Sequence, residues 1–227
     1  MAQTRGTCRL CGKVLARPGM ARHVPICRRP RSGNAGSEAL LLQVANHYLP
    51  GYWLFLELSS SATWADLDAF LRDTWVECCG HLSSFEHAGT TYIDDPAEAR
   101  EWAGRARSLS GRLVGTVAPG SRFVYTYDFG TSTELVGRAL GLVPAVRGGP
   151  RVQILARNEA PDQACDVCGQ PATEVCGICY QQADTPCWYC ATCLGQHRCT
   201  DPGVDYFLPV VNSPRVGLCA YTGPADE

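Results

Sequence analysis

The order of apolar and polar positions marks most of the regular elements. Tyr52-Trp-Leu-Phe-Leu-Glu-Leu58 is a short aromatic and aliphatic run, which reads as a buried strand. Ser59 to Ala62 form a turn, and Thr63 is placed to cap a helix that starts at Trp64, with Asp66 near its positive end. Leu67, Phe70, Leu71 and Trp75 then recur at helical spacing and define a core face. Ser84 to Ile93 reads as strand, with Gly89 in a turn. Asp94-Asp-Pro-Ala-Glu-Ala-Arg100 reads as a helix start with Pro96 in its first turn. Beyond a turn at Ala118-Pro-Gly120, Phe123 to Tyr127 alternates with period two, and Glu134 to Leu140 supplies a hairpin partner. Arg151 to Ala156 is a further strand, and Tyr206 to Val211 is another, whose Pro209 suits a sheet edge. Interspersed strands and helices predict an α+β fold. The organisation expected is a small module over 1–30, a linker over 31–38 rich in Gly and Ser, a central domain over 39–158, and a second module with a trailing strand over 159–227.

Composition narrows the class. Of 227 residues, 45% are apolar and 19% charged, which suits a globular chain rather than a disordered one. The net charge of -2 gives no global field that would select a partner. The first residues, Met-Ala-Gln-Thr-Arg-Gly, lack an apolar signal core, and no run approaches the roughly 20 apolar residues that span a bilayer. The expectation is a cytoplasmic protein without membrane contact, in a compartment where thiols stay reduced and paired cysteines bind metal.

That matters because the chain has 14 cysteines. Cys165-x-x-Cys168, Cys176-x-x-Cys179, Cys187-x-x-Cys190-x-x-Cys193 and His197-x-Cys199 place nine soft donors in one short stretch. A Cys-x-x-Cys turn directs two sulfurs at one ion, and four N/S donors close a tetrahedral Zn²⁺ site. Two ions need eight donors, so one cysteine is surplus. The third pair is either Cys187/Cys190 or Cys190/Cys193. The second choice is preferred, since the first leaves Cys193 free beside the metals. Interleaving, with Cys165, Cys168, Cys190 and Cys193 on one zinc and Cys176, Cys179, His197 and Cys199 on the other, is preferred over a sequential arrangement. It ties distant parts of a segment with little core of its own into one unit, so that metal binding becomes folding energy. The order of ligands is similar in spacing to cross-braced modules of the B-box and MYND type.

A third zinc is expected at the other end of the chain. Cys8-x-x-Cys11, His23 and Cys27 resemble a Cys₂-His-Cys variant of the ββα zinc finger, with Leu15 and Met20 near its two apolar positions and Gly12 in the turn residue's place. Pro25 predicts that the helix carrying His23 bends or ends there.

The two modules have opposite charge. Residues 1–31 hold Arg5, Arg9, Lys13, Arg17, Arg22, Arg28, Arg29 and Arg31 and no acid, so with three thiolates on Zn²⁺ the segment carries about +7. That is the footprint of phosphate binding, and it points to nucleic acid as a partner. Residues 159–205 set seven acids against Arg198, giving about -9 once both sites fill. This repels phosphates; the similarity to cross-braced modules, which commonly serve protein contacts, implies protein as the partner of the second module, and the alternative is a structural staple without a partner.

Within the central segment, Tyr125-Thr-Tyr127-Asp128-Phe129-Gly130, following the helix Trp64–Val76 and His81-Leu-Ser-Ser-Phe85, resembles the plasmid pRiA4b ORF-3-like family over roughly residues 45–157. Many members follow the glycine with an acid and a tryptophan, whereas Thr131-Ser-Thr133 follows here. The resemblance implies a fold and an association with mobile elements, and no established activity. Asp128 reads as a turn residue that accepts backbone N–H bonds, with Gly130 supplying a positive φ. A lone carboxylate is a weak acid/base candidate. Cys78 and Cys79 with His81 or His87 offer a nucleophile pair or metal donors. Adjacent cysteines lack the spacing of a ligand pair, so packed thiols are preferred, as for Cys219. The function expected is therefore binding through zinc modules, not catalysis. The rival is an enzyme acting on nucleic acid through a cleft beside Asp128.

Overall fold

The computed structural model describes residues 4–28, 37–97, 104–145, 148–182, 184–201, 203 and 206–224. The expected linker and the continuation of the helix expected from Asp94 fall largely outside these residues, as do Arg29, Arg31 and Asp205.

The body is one ten-stranded sheet in the order β2-β1-β10-β4-β3-β9-β8-β5-β6-β7. Its strands are β1 (Arg5–Cys8), β2 (Val14–Ala16), β3 (Glu38–Asn46), β4 (Trp53–Leu58), β5 (Ser83–His87), β6 (Thr90–Ile93), β7 (Ala106–Ser108), β8 (Arg122–Tyr127), β9 (Thr133–Pro144) and β10 (Val152–Asn158). All neighbours run antiparallel except β6 and β7. Three short strands, β11 (Glu174–Cys176), β12 (Trp188–Tyr189) and β13 (Phe207–Pro209), make a separate sheet with β11 in the middle. Among the described residues there are two α-helices, α1 (Arg17–Cys27) and α2 (Trp64–Leu71), the latter continued by a π turn over Arg72–Val76. The expected α+β class is thus corrected to a mainly β architecture.

Sequence patterning explains the sheet's burial. Strands β3 and β4 are apolar on both faces because both faces are covered. Leu40, Leu42, Val44, Leu54, Leu56 and Leu58 point into one core with α2. Ala39, Leu41, Ala45, Trp53 and Phe55 point into a second core under α1, where Met20 and Val24 pack. Glu57 shares that second face, and its carboxylate is met by Arg28 just past α1, whose Nη2 donates to Oε1 at 2.6 Å. Thr63 and Asp66 form a reciprocal capping box, and Leu67, Leu71 and Trp75 are fully buried. Ala88 and Gly89, both at positive φ, close the β5–β6 hairpin in the manner of a primed turn.

Both terminal modules pack on the main sheet. Strand β1 pairs with β10, so the N-terminal ββα unit is the edge of the main sheet rather than a bead on a linker. At Gly6 an added Cβ would sit 2.1 Å from the Arg157 carbonyl, so the absent side chain permits this pairing. The helix also runs through Pro25 to Cys27. A proline one turn from the end removes little of the hydrogen-bond ladder. At the other end Val175, Cys176, Cys179, Leu208 and Val216 belong to the same core as α2, so the second module is docked on the sheet.

Candidate metal centres

Among the described residues, four groups of four Cys/His donors lie with their ligand atoms within 4.8 Å of one another, and each could hold a metal ion. The distances between donors can be compared with a tetrahedral zinc site, where bonds of 2.0–2.3 Å place sulfurs about 3.8 Å apart and sulfur and nitrogen about 3.6 Å apart.

Cys8, Cys11, His23 and Cys27 form the first group. Cys8 ends β1 and is fully buried; Gly12 at φ 75 turns the chain, and Gly12 N–H donates to the Cys8 carbonyl at 2.8 Å. His23 and Cys27 lie on α1, one turn apart, and Cys11 Sγ is 3.2 Å from His23 Nε2. Met20 is fully buried and Leu15 packs at the edge of that core.

Cys165, Cys168, Cys190 and Cys193 form the second group, with Cys168 and Cys190 sulfurs 3.6 Å apart. Cys176, Cys179, His197 and Cys199 form the third. Cys179 Sγ lies 3.4 Å from His197 Nε2, and Cys199 Sγ lies 4.0 Å from both Cys176 and Cys179. The two groups interleave along the chain. Strand β11 delivers Cys176, and the turn after β12 delivers Cys190 and Cys193.

Cys187 stands outside both groups. It is buried in the main core, and its backbone N–H donates to Asp166 Oδ2 at 2.7 Å. Burial, with the Asp166 carboxylate nearby, pushes its thiol up to about 12. Asp166 Oδ2 also accepts from Trp188 N–H at 2.9 Å, so this carboxylate orders the module's interior.

The thiols are prepared unequally for metal. Burial opposes ionisation of Cys165, but backbone N–H groups of Cys190, Cys168 and Val167 outweigh it and bring its thiol down to about 6. For Cys179, burial is outweighed by the Thr200 backbone and by His197, giving about 7. Neighbours are held up: Cys193 to about 12 by Cys168 beside it, and Cys176 to about 11 chiefly by burial. Donor sets that mix thiols lowered and raised from their usual value shed protons as an ion enters.

The fourth group is Cys78, Cys79, His81 and Cys219. It gathers the thiols that the sequence reading expects as packed ones, and Cys78 does pack against the main core. The adjacent Cys78 and Cys79 do converge, with sulfurs 3.5 Å apart, because the chain leaves the π turn in extended conformation at Glu77 and reverses at Gly80, φ 74. Cys219 arrives from the C-terminal segment, 3.4 Å from Cys79 Sγ. Sequence reasoning offers Cys78, Cys79 and His81 as possible metal donors but does not join Cys219 to them, because no spacing rule links residues this far apart.

Asp128 borders this group. Its Oδ1 accepts from Gly130 and Thr131 N–H at 3.0 and 3.1 Å, as a turn residue's should. The positive φ falls on Asp128 itself, at 63°, and not on Gly130. Its Oδ2 takes a 2.7 Å bond from Nη2 of Arg215, which is fully buried, and lies 3.5 Å from His81 Nε2. A groove of about 620 Å³ opens elsewhere, lined by His47, Glu86, His87 and Arg122 among others, and Asp128 is not in it. Both ring nitrogens of His87 face backbone carbonyls, Arg122 at 2.9 Å and Thr116 at 3.3 Å.

Among the described residues no helix is long and apolar enough to cross a membrane. No family model matches the chain, and no curated protein matches it. Among solved structures, a protein of unknown function from Methanosarcina mazei Go1 is similar at 16% identity, over 53% of this chain and 69% of that one, with a TM-score of 0.43.

Proposed function

We propose that the chain is a zinc-dependent binding protein rather than an enzyme. Its ions fasten a basic ββα unit and an acidic two-ion module to one rigid sheet. The convergence of the donor groups carries this reading: the finger group and the two interleaved groups each gather four soft donors at spacings near those of tetrahedral zinc. Residues 45–157 are placed with the pRiA4b ORF-3-like family as part of the same proposal.

The basic edge contacts nucleic acid. Arg5, Arg9, Lys13 and Arg22 are exposed there, and no acid lies among residues 4–28. Arg28 is spent on Glu57, so the available charge is smaller than the sequence total. If all four exposed cations meet phosphates of duplex DNA, log K falls against log salt with a slope of about -3.6. The acidic module, with exposed Glu159, Asp162, Asp184 and Asp201, is left for protein. The groove around His87 is not assigned catalysis, because both its imidazole nitrogens are turned to backbone carbonyls.

Two measurements test the reading. Native mass spectrometry with and without a chelator should find zinc that the chelator removes. A chain that folds and carries no metal sinks the proposal. Fluorescence anisotropy at low salt should show DNA or RNA affinity that Arg9→Glu with Lys13→Glu and Arg22→Glu abolishes. Charge reversal is preferable to deletion, since removing β1 would bare the edge of β10. Equal binding by wild type and variant removes the nucleic-acid assignment.

A further inference from the structure

We propose that Cys78, Cys79, His81 and Cys219 form a fourth site for a thiophilic divalent cation such as Zn²⁺, and that this ion clasps the C-terminal segment to the central sheet. The proposal rests on the zinc reading above and adds a site of different construction. Three donors come from the one loop, residues 77–82, between the π turn and β5; the fourth comes from a residue 138 positions past His81. His81 Nε2 is 3.0 Å from Cys79 Sγ and 3.5 Å from Cys219 Sγ, so nitrogen and sulfurs stand just inside the separations of a tetrahedral site. The sulfurs are 3.4 and 3.5 Å apart, far from a bonded pair.

The surroundings fit a bound cation and its thiolates. Arg215 Nη2 donates to Cys78 Sγ at 3.5 Å while holding Asp128, and so places positive charge against the site's net negative charge. The loop is wrapped around the Tyr127 hydroxyl, which accepts from Cys78 and His81 N–H at 3.3 and 3.4 Å and donates to Glu77 at 3.0 Å. Cys219 itself sits at φ 51, a left-handed conformation that a cysteine seldom adopts. That turn aims its sulfur back at the loop, and the Tyr206 hydroxyl holds its carbonyl. Gly217 brings the same segment against Tyr180 of the second module, where an added Cβ would meet the ring at 2.9 Å. An ion here therefore joins the sheet and the C-terminal turn at a three-way junction.

No donor of this group is fully buried and Cys79 is exposed, whereas each of the other three groups has at least one buried cysteine. The ion should accordingly be the first to leave.

The test counts ions in the full chain. Native mass spectrometry should give four zinc ions for the wild type and three for Cys219→Ser, with the lost ion also the first removed by a chelator. In the zinc-loaded wild type Cys79 should resist iodoacetamide, and brief chelation should expose it while residues 213–221 gain hydrogen exchange. Should Cys219→Ser fail to fold, the wild-type count and the protection of Cys79 still decide. A wild type that binds three ions with Cys79 freely alkylated, or one whose Cys79 and Cys219 are recovered as a disulfide, overturns the fourth site and leaves the other three standing. A wild type with no ions overturns the zinc reading as a whole.

Discussion

Asp128→Ala tests how much of the C-terminal docking rests on one carboxylate. Arg215 is fully buried, and removing the partner of a buried ion costs about 3–5 kcal/mol. The two turn bonds to Gly130 and Thr131 contribute about 1 kcal/mol each. Alanine at φ 63 adds about 1 kcal/mol of backbone cost that aspartate partly escapes. Arg215 keeps the Thr131 carbonyl, the Thr133 hydroxyl and the face of Tyr127, which moderates the loss. About 4 kcal/mol is the expected destabilisation for Asp128→Ala, and about 2 kcal/mol for Asp128→Asn, which keeps the acceptor and tolerates the left-handed backbone. Urea unfolding of zinc-loaded protein measures both. The pH dependence supplies a second check. Burial alone would raise the Asp128 carboxyl, but Arg215 and the N–H groups of Thr131 and Gly130 outweigh it and hold it below 3.8. A depressed folded value gives stability that is fully present above 3.8 and lost as pH falls through the lower folded value. The difference between wild type and Asp128→Asn should therefore be flat from about pH 5 to 8. An alanine cost under about 1.5 kcal/mol, or equal costs for Ala and Asn, refutes the ion-pair argument. So does a difference that changes across that pH window.

Other perturbations probe separate joints. Gly137→Ala would drive a Cβ to within 2.2 Å of the Phe123 ring across the β8–β9 pair, and should cost about 1–3 kcal/mol in thermal or urea unfolding. Gly6→Ala meets the Arg157 backbone and Trp53, so hydrogen exchange should rise in β1 and α1 while the centre of the sheet stays protected. Cys187→Ser should leave the ion count of the C-terminal module unchanged in native mass spectrometry, because its sulfur lies outside both donor groups. Cys190→Ser and Cys193→Ser should each lose at least one ion, and the reverse pattern would mean that Cys187 is a ligand.

Legibility followed the range of each interaction. The cap at Thr63, the period-two strands and the hairpin turn at Gly89 are set by residues within a few positions, and each appears where the pattern places it. Strand β3 was not legible: Ala39-Leu-Leu-Leu-Gln-Val-Ala45 lacks alternation because both its faces are buried, and it borders a glycine-rich stretch. The α+β expectation failed for a related reason. It rested on helices interspersed among strands, whereas the described residues hold two α-helices beside a ten-stranded sheet, and that sheet gains its outer strands by pairing of β1 with β10, segments some 150 residues apart. Nothing local in Arg5–Cys8 announces which edge it will join.

The metal donors divide along the same line, and here the consequence is chemical. Cys-x-x-Cys turns advertise themselves because the spacing alone puts two sulfurs on one side of a short loop. A designer of spacing rules would pass over Cys78-Cys79, whose sulfurs converge only because Gly80 reverses the chain and the Tyr127 hydroxyl gathers the loop. Its fourth donor depends on Arg215 seating the C-terminal segment against Asp128. The local groups could form while the rest of the chain is unfolded, since their donors lie within about twenty to thirty-five residues. The Cys78–Cys219 group exists only after the sheet, the second module and the C-terminal turn have met. An ion bound there reports completed assembly, and for a site of that kind the fold must come before the ligand set rather than follow from it.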